Sequence, residues 1–299
     1  MNFCGICGLV FGFLFTFFCG ISSADTLAAT SSAERPAWLY PQTEVFRRRL
    51  EKIAARGISF TDYHIHTRGG MTPEKALHRE ADSGIRSAVL ENEGREWPLN
   101  DNAALAAHIA AARRAAASAG KALPVGIQVN DRDWYKRLDP KLLRQLDYVL
   151  ADTMIMGETA EGKPQRLWLP SLKIPDADAW MEAYMRHNLR ILDEPISILA
   201  NPTYLPDGIA AQYDRLWTPA RMKTLIEKAV RNNVALEIQA GSPFPKPAFI
   251  RLARQMGAKF SFGTNNFDDK ARDLSKWFDA IDAADIGPAD IAVVKLNFR

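Results

Sequence analysis

From residue 58 onward, short runs of apolar and β-branched residues alternate with longer stretches of helical periodicity. The apolar runs cover 58–63, 87–90, 124–129, 148–150, 196–199, 234–238, 259–262 and, weakly, 291–294. Between them, apolar spacing predicts helices over 73–83, 102–119, 140–145, 177–191, 219–232, 245–256 and 269–284. Three of these open on a capping residue followed by proline: Thr72-Pro73, Asp139-Pro140 and Thr218-Pro219. Proline fits there because the first helical N–H has no partner in the helix. Continuous apolar strands alternating with helices predict a parallel sheet covered on both faces. Seven or eight such units predict a TIM-like α/β barrel, read here as a distorted (β/α)7 barrel, more than an open sheet.

Ahead of the barrel, residues 25–57 form an approach segment with a helix predicted over 43–56, and residues 58–299 contain no dividing linker. The barrel is therefore expected to be one domain. One excursion breaks the rhythm: residues 153–175 join the fourth strand to its helix without strong periodicity. A lid or binding loop and a plain surface loop are both consistent with it.

Residues 3–21 carry no charge, and Ser22-Ser23-Ala24 offers small residues for a signal peptidase. This predicts a signal peptide over 1–24 and export to a periplasmic or extracellular space, the alternative being a membrane anchor through residues 3–21. All three cysteines (Cys4, Cys7, Cys19) lie in that segment, so the mature chain is expected to use neither disulfides nor a thiol nucleophile. A formal net charge of +3 over 299 residues gives no argument for nucleic acid, and Arg47-Arg48-Arg49 and Arg113-Arg114 read as solvated helix faces. The expected partner is a small polar molecule, with no membrane contact after cleavage; the oligomeric state is open.

Candidate chemistry collects where strands end, because side chains at the carboxyl ends of parallel strands converge. The first strand ends in Asp62-Tyr63-His64-Ile65-His66-Thr67. Histidines two apart on a strand share a face, so both imidazoles can reach one metal ion. The remaining three, His78, His108 and His187, fall in predicted helices as surface or packing residues. Other strand ends supply Glu91-Asn92-Glu93, Gln128, Asn130, Asp152, Asn201, Glu237, Gln239, Asn265 and Asn266. Such a polar ring suits a polyhydroxylated or amide ligand at least as well as a metal.

The order and phrasing of these motifs resemble the polymerase and histidinol phosphatase (PHP) family of metal-dependent phosphoesterases across about residues 58–295. Asp62-Tyr-His64-Ile-His66-Thr67 is similar to the family's D-x-H-x-H-T opening, Val125-Gly-Ile-Gln128 to its G-I-E, and Asp147-Tyr-Val-Leu-Ala-Asp-Thr-Met154 to its D-Y-V-I-G-S-x-H. Leu199-Ala-Asn-Pro202 resembles its L-A-H-P, Ala235-Leu-Glu237-Ile its A-x-E-I, and Phe262-Gly-Thr-Asn265-Asn-Phe267 its G-S-D-A-H. The resemblance implies a distorted seven-stranded barrel with up to three clustered metal ions hydrolysing phosphate esters. Of the ligands it implies, only His64 and His66 match. Gln128, Met154, Asn201, Asn265 and Phe267 stand where the family has anionic or imidazole ligands, and clustered cations need anionic donors.

Two readings remain at this level. In the first, an exported hydrolase holds one divalent ion (Zn, Mn or Mg) through His64, His66 and Glu93, with Glu237 or Asp152 moving the proton and Arg68 meeting an anionic group. In the second, a degenerate metal-free barrel uses Gln128, Asn201, Glu237, Asn265 and Asn266 to hold a polar ligand, as a binding protein or as a lyase or isomerase with Glu237 and His66 transferring the proton. Fold analogy favours the hydrolase, and the loss of ligands favours the second.

Overall fold

Strand alternation sorts the apolar residues into two separate clusters. Ala88, Leu90, Tyr148, Leu150, Ile198, Ala200 and Ala235 form one, while Val89, Ile127, Val129, Val149, Ala151, Leu199, Leu236 and Ile238 belong to another that includes the helices. This is the signature of a closed barrel: one set fills the lumen and the other packs outward. The computed structural model describes residues 44–158, 162–270 and 272–296, all within one compact unit. The expected signal segment 1–24, its three cysteines, and the expected approach segment as far as residue 43 lie outside the described residues.

The barrel strands are β1 (Thr61–His66), β2 (Arg86–Leu90, resuming after Glu91 as Asn92–Glu93), β3 (Gly126–Val129), β4 (Tyr148–Asp152), β5 (Ile198–Ala200), β6 (Ala235–Gln239) and β7 (Phe260–Gly263). All pair in parallel, in the order β2-β1-β7-β6-β5-β4-β3, and the continuation of β2 pairs with β3. The Val89–Val125 bridge and a bond from Gln128 N–H to Glu91 O complete the ring. The result is the expected TIM-like (β/α)7 architecture.

Helix starts follow local chemistry. Thr72, Asp139 and Thr218 each accept a backbone N–H of the first turn, with proline next in line. The helices Pro73–Ser83, Asn102–Ala119 and Ala177–Ile191 match their expected bounds.

Two expectations are corrected. The first strand begins three residues later than its apolar run, since Ile58 and Phe60 are buried but precede the paired residues. Residues 291–294 are not an eighth strand: Ile291 makes a single bridge to Phe260, and Val294 packs against the luminal cluster. The excursion after β4 contains an antiparallel hairpin, Ile155–Glu158 with Pro164–Arg166. Its Arg166 guanidinium lies 4.9 Å over the Trp97 ring, which ties the hairpin to the loop after β2. Among the described residues, no helix is long and apolar enough to cross a membrane.

Candidate functional site

The luminal rows turn polar toward the carboxyl ends of the strands: Gly126 gives way to Gln128, Leu150 to Asp152, and Ala235 to Glu237. β1 adds the two histidines. Its register against β2 slips between Asp62 and Ile65, and Tyr63 packs on the luminal cluster while Ile65 joins the outer one. His64 and His66 are both fully buried. Asp62 anchors this turn, its Oδ1 accepting from the N–H groups of His64 (3.1 Å) and Thr264 (3.0 Å).

His64 is the hub of the site. Its Nδ1 lies 2.6 Å from Glu237 Oε1 and its Nε2 lies 2.8 Å from Gln128 Oε1. The Gln128 amide nitrogen donates to Asp152 Oδ2 (3.2 Å) and Asn130 Oδ1 (3.3 Å), which leaves its oxygen facing the ring. An amide oxygen and an ionised carboxylate only accept, so both ring nitrogens of His64 carry protons. Burial opposes that charge, but the Glu237 carboxylate and the other acceptors outweigh it and hold the His64 pKa above its ordinary value. The network continues through Asn201, whose N–H donates to Glu237 Oε2 (3.1 Å) and whose Nδ2 donates to Asp152 Oδ1 (3.0 Å). Asn201 adopts a φ of 50°, a left-handed conformation that asparagine tolerates better than most residues. Burial raises the Asp152 pKa against its hydrogen bonds from Met154 N–H and Asn201.

Gly263 makes room for this hub. A Cβ there would overlap Glu237 Oε1 and lie 2.6 Å from the Cβ of His64. Gly263→Ala is accordingly expected to destabilise the fold by about 2 kcal/mol through overpacking, measured by urea denaturation.

His66 is the opposite case. Its Nδ1 faces Arg68 Nη2 at 3.1 Å, and a guanidinium only donates, so the ring proton sits on Nε2. That Nε2 is buried and has no hydrogen-bond partner among the described residues. Glu91 Oε1 lies 3.4 Å from His66 Nδ1 and 3.6 Å from Arg68 Nε. The imidazole stacks on Phe267 with ring centres 4.8 Å apart, and the Arg68 guanidinium lies over the same phenyl ring. Burial lowers the His66 pKa to about 4, so this ring is neutral where His64 is charged.

Glu93 is bound by Arg137, with no hydrogen bond to either histidine among the described residues. Its Oε1 takes a 2.5 Å hydrogen bond from Arg137, and its Oε2 is buried without a partner. Burial outweighs the nearby guanidinium and pushes its pKa up to about 7. Among the described residues, no group of three His, Cys, Asp or Glu side chains is placed to hold a metal ion. A His64–His66–Glu93 ion does not fit this arrangement, since both ring nitrogens of His64 are engaged by Glu237 and Gln128 and Glu93 Oε1 is engaged by Arg137. Arg137→Met is expected to cost about 2 kcal/mol at pH 8 by stranding a buried carboxylate. The cost should shrink at pH 5, where Glu93 is already protonated. Denaturation at the two pH values checks it.

The structure thus joins His64, Gln128, Asp152, Asn201 and Glu237 in one network, with His66 and Arg68 in contact beside it. Asn265, at a φ of 52°, has a buried Oδ1 without a partner. Asn266 is a different matter: its Nδ2 donates to the Asp268 and Lys270 carbonyls, so it holds the loop after β7. His108 bonds the Gly126 carbonyl and His187 is largely buried, with a pKa lowered to about 3 by burial, while His78 is exposed; none enters the site. Glu91, Phe267 and Arg137 act at the site without having been singled out as its residues. Glu91 stood among the strand-end residues, but nothing local marks Phe267 as a stacking partner or Arg137 as the counterion of Glu93.

No protein-family model and no curated protein matches the sequence. Among solved structures, the chain is similar to a D-hydantoinase at 10% identity and a TM-score of 0.30, covering 68% of this chain and 46% of the other. It is also similar to a putative phosphonomutase from Burkholderia cenocepacia J2315 at 17% identity and a TM-score of 0.24, covering 73% and 69%. The chain therefore spans about half the length of the hydantoinase it matches.

Proposed function

We propose that this barrel is a metal-free enzyme for a small polar substrate, catalysing a proton transfer of the lyase or isomerase type. One observation carries the reading: His64 has both ring nitrogens committed to Glu237 and Gln128, whereas His66 keeps Nε2 unpartnered. A fixed imidazolium then supplies the positive charge that a cation would supply in a PHP-like hydrolase. His66 is the open partner, a neutral N–H donor to a carbonyl or hydroxyl oxygen of the substrate, oriented by Arg68 and Phe267. Asp152, with its raised pKa, is a stronger base than an ordinary carboxylate and takes the carbon-bound proton. Gln128, Asn201 and Asn265 supply amide groups beside these residues.

The test is hydrogen exchange in deuterium oxide, read by proton NMR over a panel of hydroxy acids, keto acids and sugars, with chelator present. Loss of one carbon-bound proton signal is expected, abolished by His66→Gln and by Asp152→Asn. Turnover that appears only on adding a divalent ion would return the hydrolase reading with its single metal. The same proposal places the protein outside the cytoplasm, supported by the apolar segment 3–21 and the small residues after it. N-terminal sequencing of the mature product should begin near Asp25.

A further inference from the structure

We propose a second binding site at the amino-terminal end of the barrel, specific for a small amphipathic anion. A cavity of about 780 Å³ opens there, between the end of the Asn102–Ala119 helix, the segments leading into β3 and β4, and the tail at 294–296. Its volume lies within the range of small-molecule pockets, roughly 300–1,000 Å³. It sits away from the His64 network, because its lining includes Pro124 and Asp147, which precede β3 and β4, whereas Gln128 and Asp152 lie toward or at the far ends of the same strands.

The lining has two chemical parts. Tyr63, Leu146 and Leu296 give an apolar and aromatic wall; the Tyr63 ring meets Tyr148 edge to face at 5.3 Å, and the Tyr148 hydroxyl donates to the Tyr63 carbonyl. Lys121, Arg144 and Lys295 supply exposed cations that form no ion pair among the described residues. The single acid in the lining, Asp147, is already taken by Arg113 at 3.0 Å and by the Val125 N–H at 2.7 Å. Three uncompensated positive charges beside an apolar wall call for a ligand with an anionic head and an apolar or aromatic body. A neutral sugar would leave the cations unused, and a bare inorganic anion would leave the wall unused. The Tyr148 ring, which lines the cavity, also occupies the space over Gly126.

The test titrates the full mature chain with 8-anilinonaphthalene-1-sulfonate, followed by fluorescence, with decanoate as competitor. One saturable site per chain is expected, weakened about tenfold or more by the double charge reversal Arg144→Glu with Lys295→Glu, a factor of ten corresponding to about 1.4 kcal/mol. Ala116→Trp, which fills the cavity from its helix wall, should abolish binding while circular dichroism stays native. His66→Gln should leave binding unchanged, which separates this site from the luminal one. Binding that survives both the charge reversal and Ala116→Trp would overturn the proposal. So would a full chain that binds nothing while a chain ending at Leu296 binds the probe, since the occupant would then be the chain's own last residues.

Discussion

Glu237→Ala should cost about 3–5 kcal/mol of folding stability, the range for removing one partner of a buried ion pair. Both oxygens of Glu237 are used, one by His64 Nδ1 and one by the Asn201 N–H, so the variant strands a cation and an amide together. The pH dependence of the deficit distinguishes this cause from simple cavity formation. A histidine whose folded pKa is raised contributes stability that is fully present below its unfolded pKa of about 6.5 and is lost as pH rises through the folded value. His64 is such a group, held up by Glu237. The deficit of Glu237→Ala should therefore be larger at pH 5.5 than at pH 9, where the orphaned imidazole can shed its proton. A deficit independent of pH would argue that His64 is neutral in the native protein and would remove the imidazolium from the site.

The second large effect belongs to His66 and runs the other way with pH. Its folded pKa is lowered to about 4 by burial, so the native state refuses a proton that the unfolded chain accepts below about 6.5. The unfolded state then binds more protons across that window, and stability falls as pH drops from about 6.5 to 4. The shift amounts to about 3 kcal/mol at 1.36 kcal/mol per unit. His66→Phe preserves a ring against Phe267 but removes the titration. The stability difference between the wild-type chain and this variant should therefore rise by about 3 kcal/mol between pH 4 and pH 7, measured by urea denaturation at intervals across the range. A flat difference would mean that the native His66 takes up a proton as readily as the unfolded chain does, which would remove its role as a neutral donor.

Helices and their starts were legible from sequence because they are local. Thr72-Pro73, Asp139-Pro140 and Thr218-Pro219 carry cap, fixed φ and first turn within four residues, and those helices begin where expected. The repeating order of strands and helices implied the barrel for a similar reason, since parallel apolar strands need helices to cover them. The i, i+2 spacing of His64 and His66 likewise gave their shared face from the period of a strand.

Partners were decided only by the tertiary structure. Whether His64 serves a metal or a protein network depends on Glu237, 173 residues away, and Gln128, 64 residues away. Glu93 looked like a ligand from its place at a strand end, but Arg137, 44 residues on, reaches it first. The start of β1 and the fate of 291–294 turned on pairing with other strands, which apolar runs do not encode: Ile58 and Phe60 are buried but precede the strand, and Ile291 bridges Phe260 only once. Periodicity and capping act over a few residues and leave their mark in the chain. The charge state of a buried imidazole is set by which acceptors closure of the barrel brings within 3 Å of it.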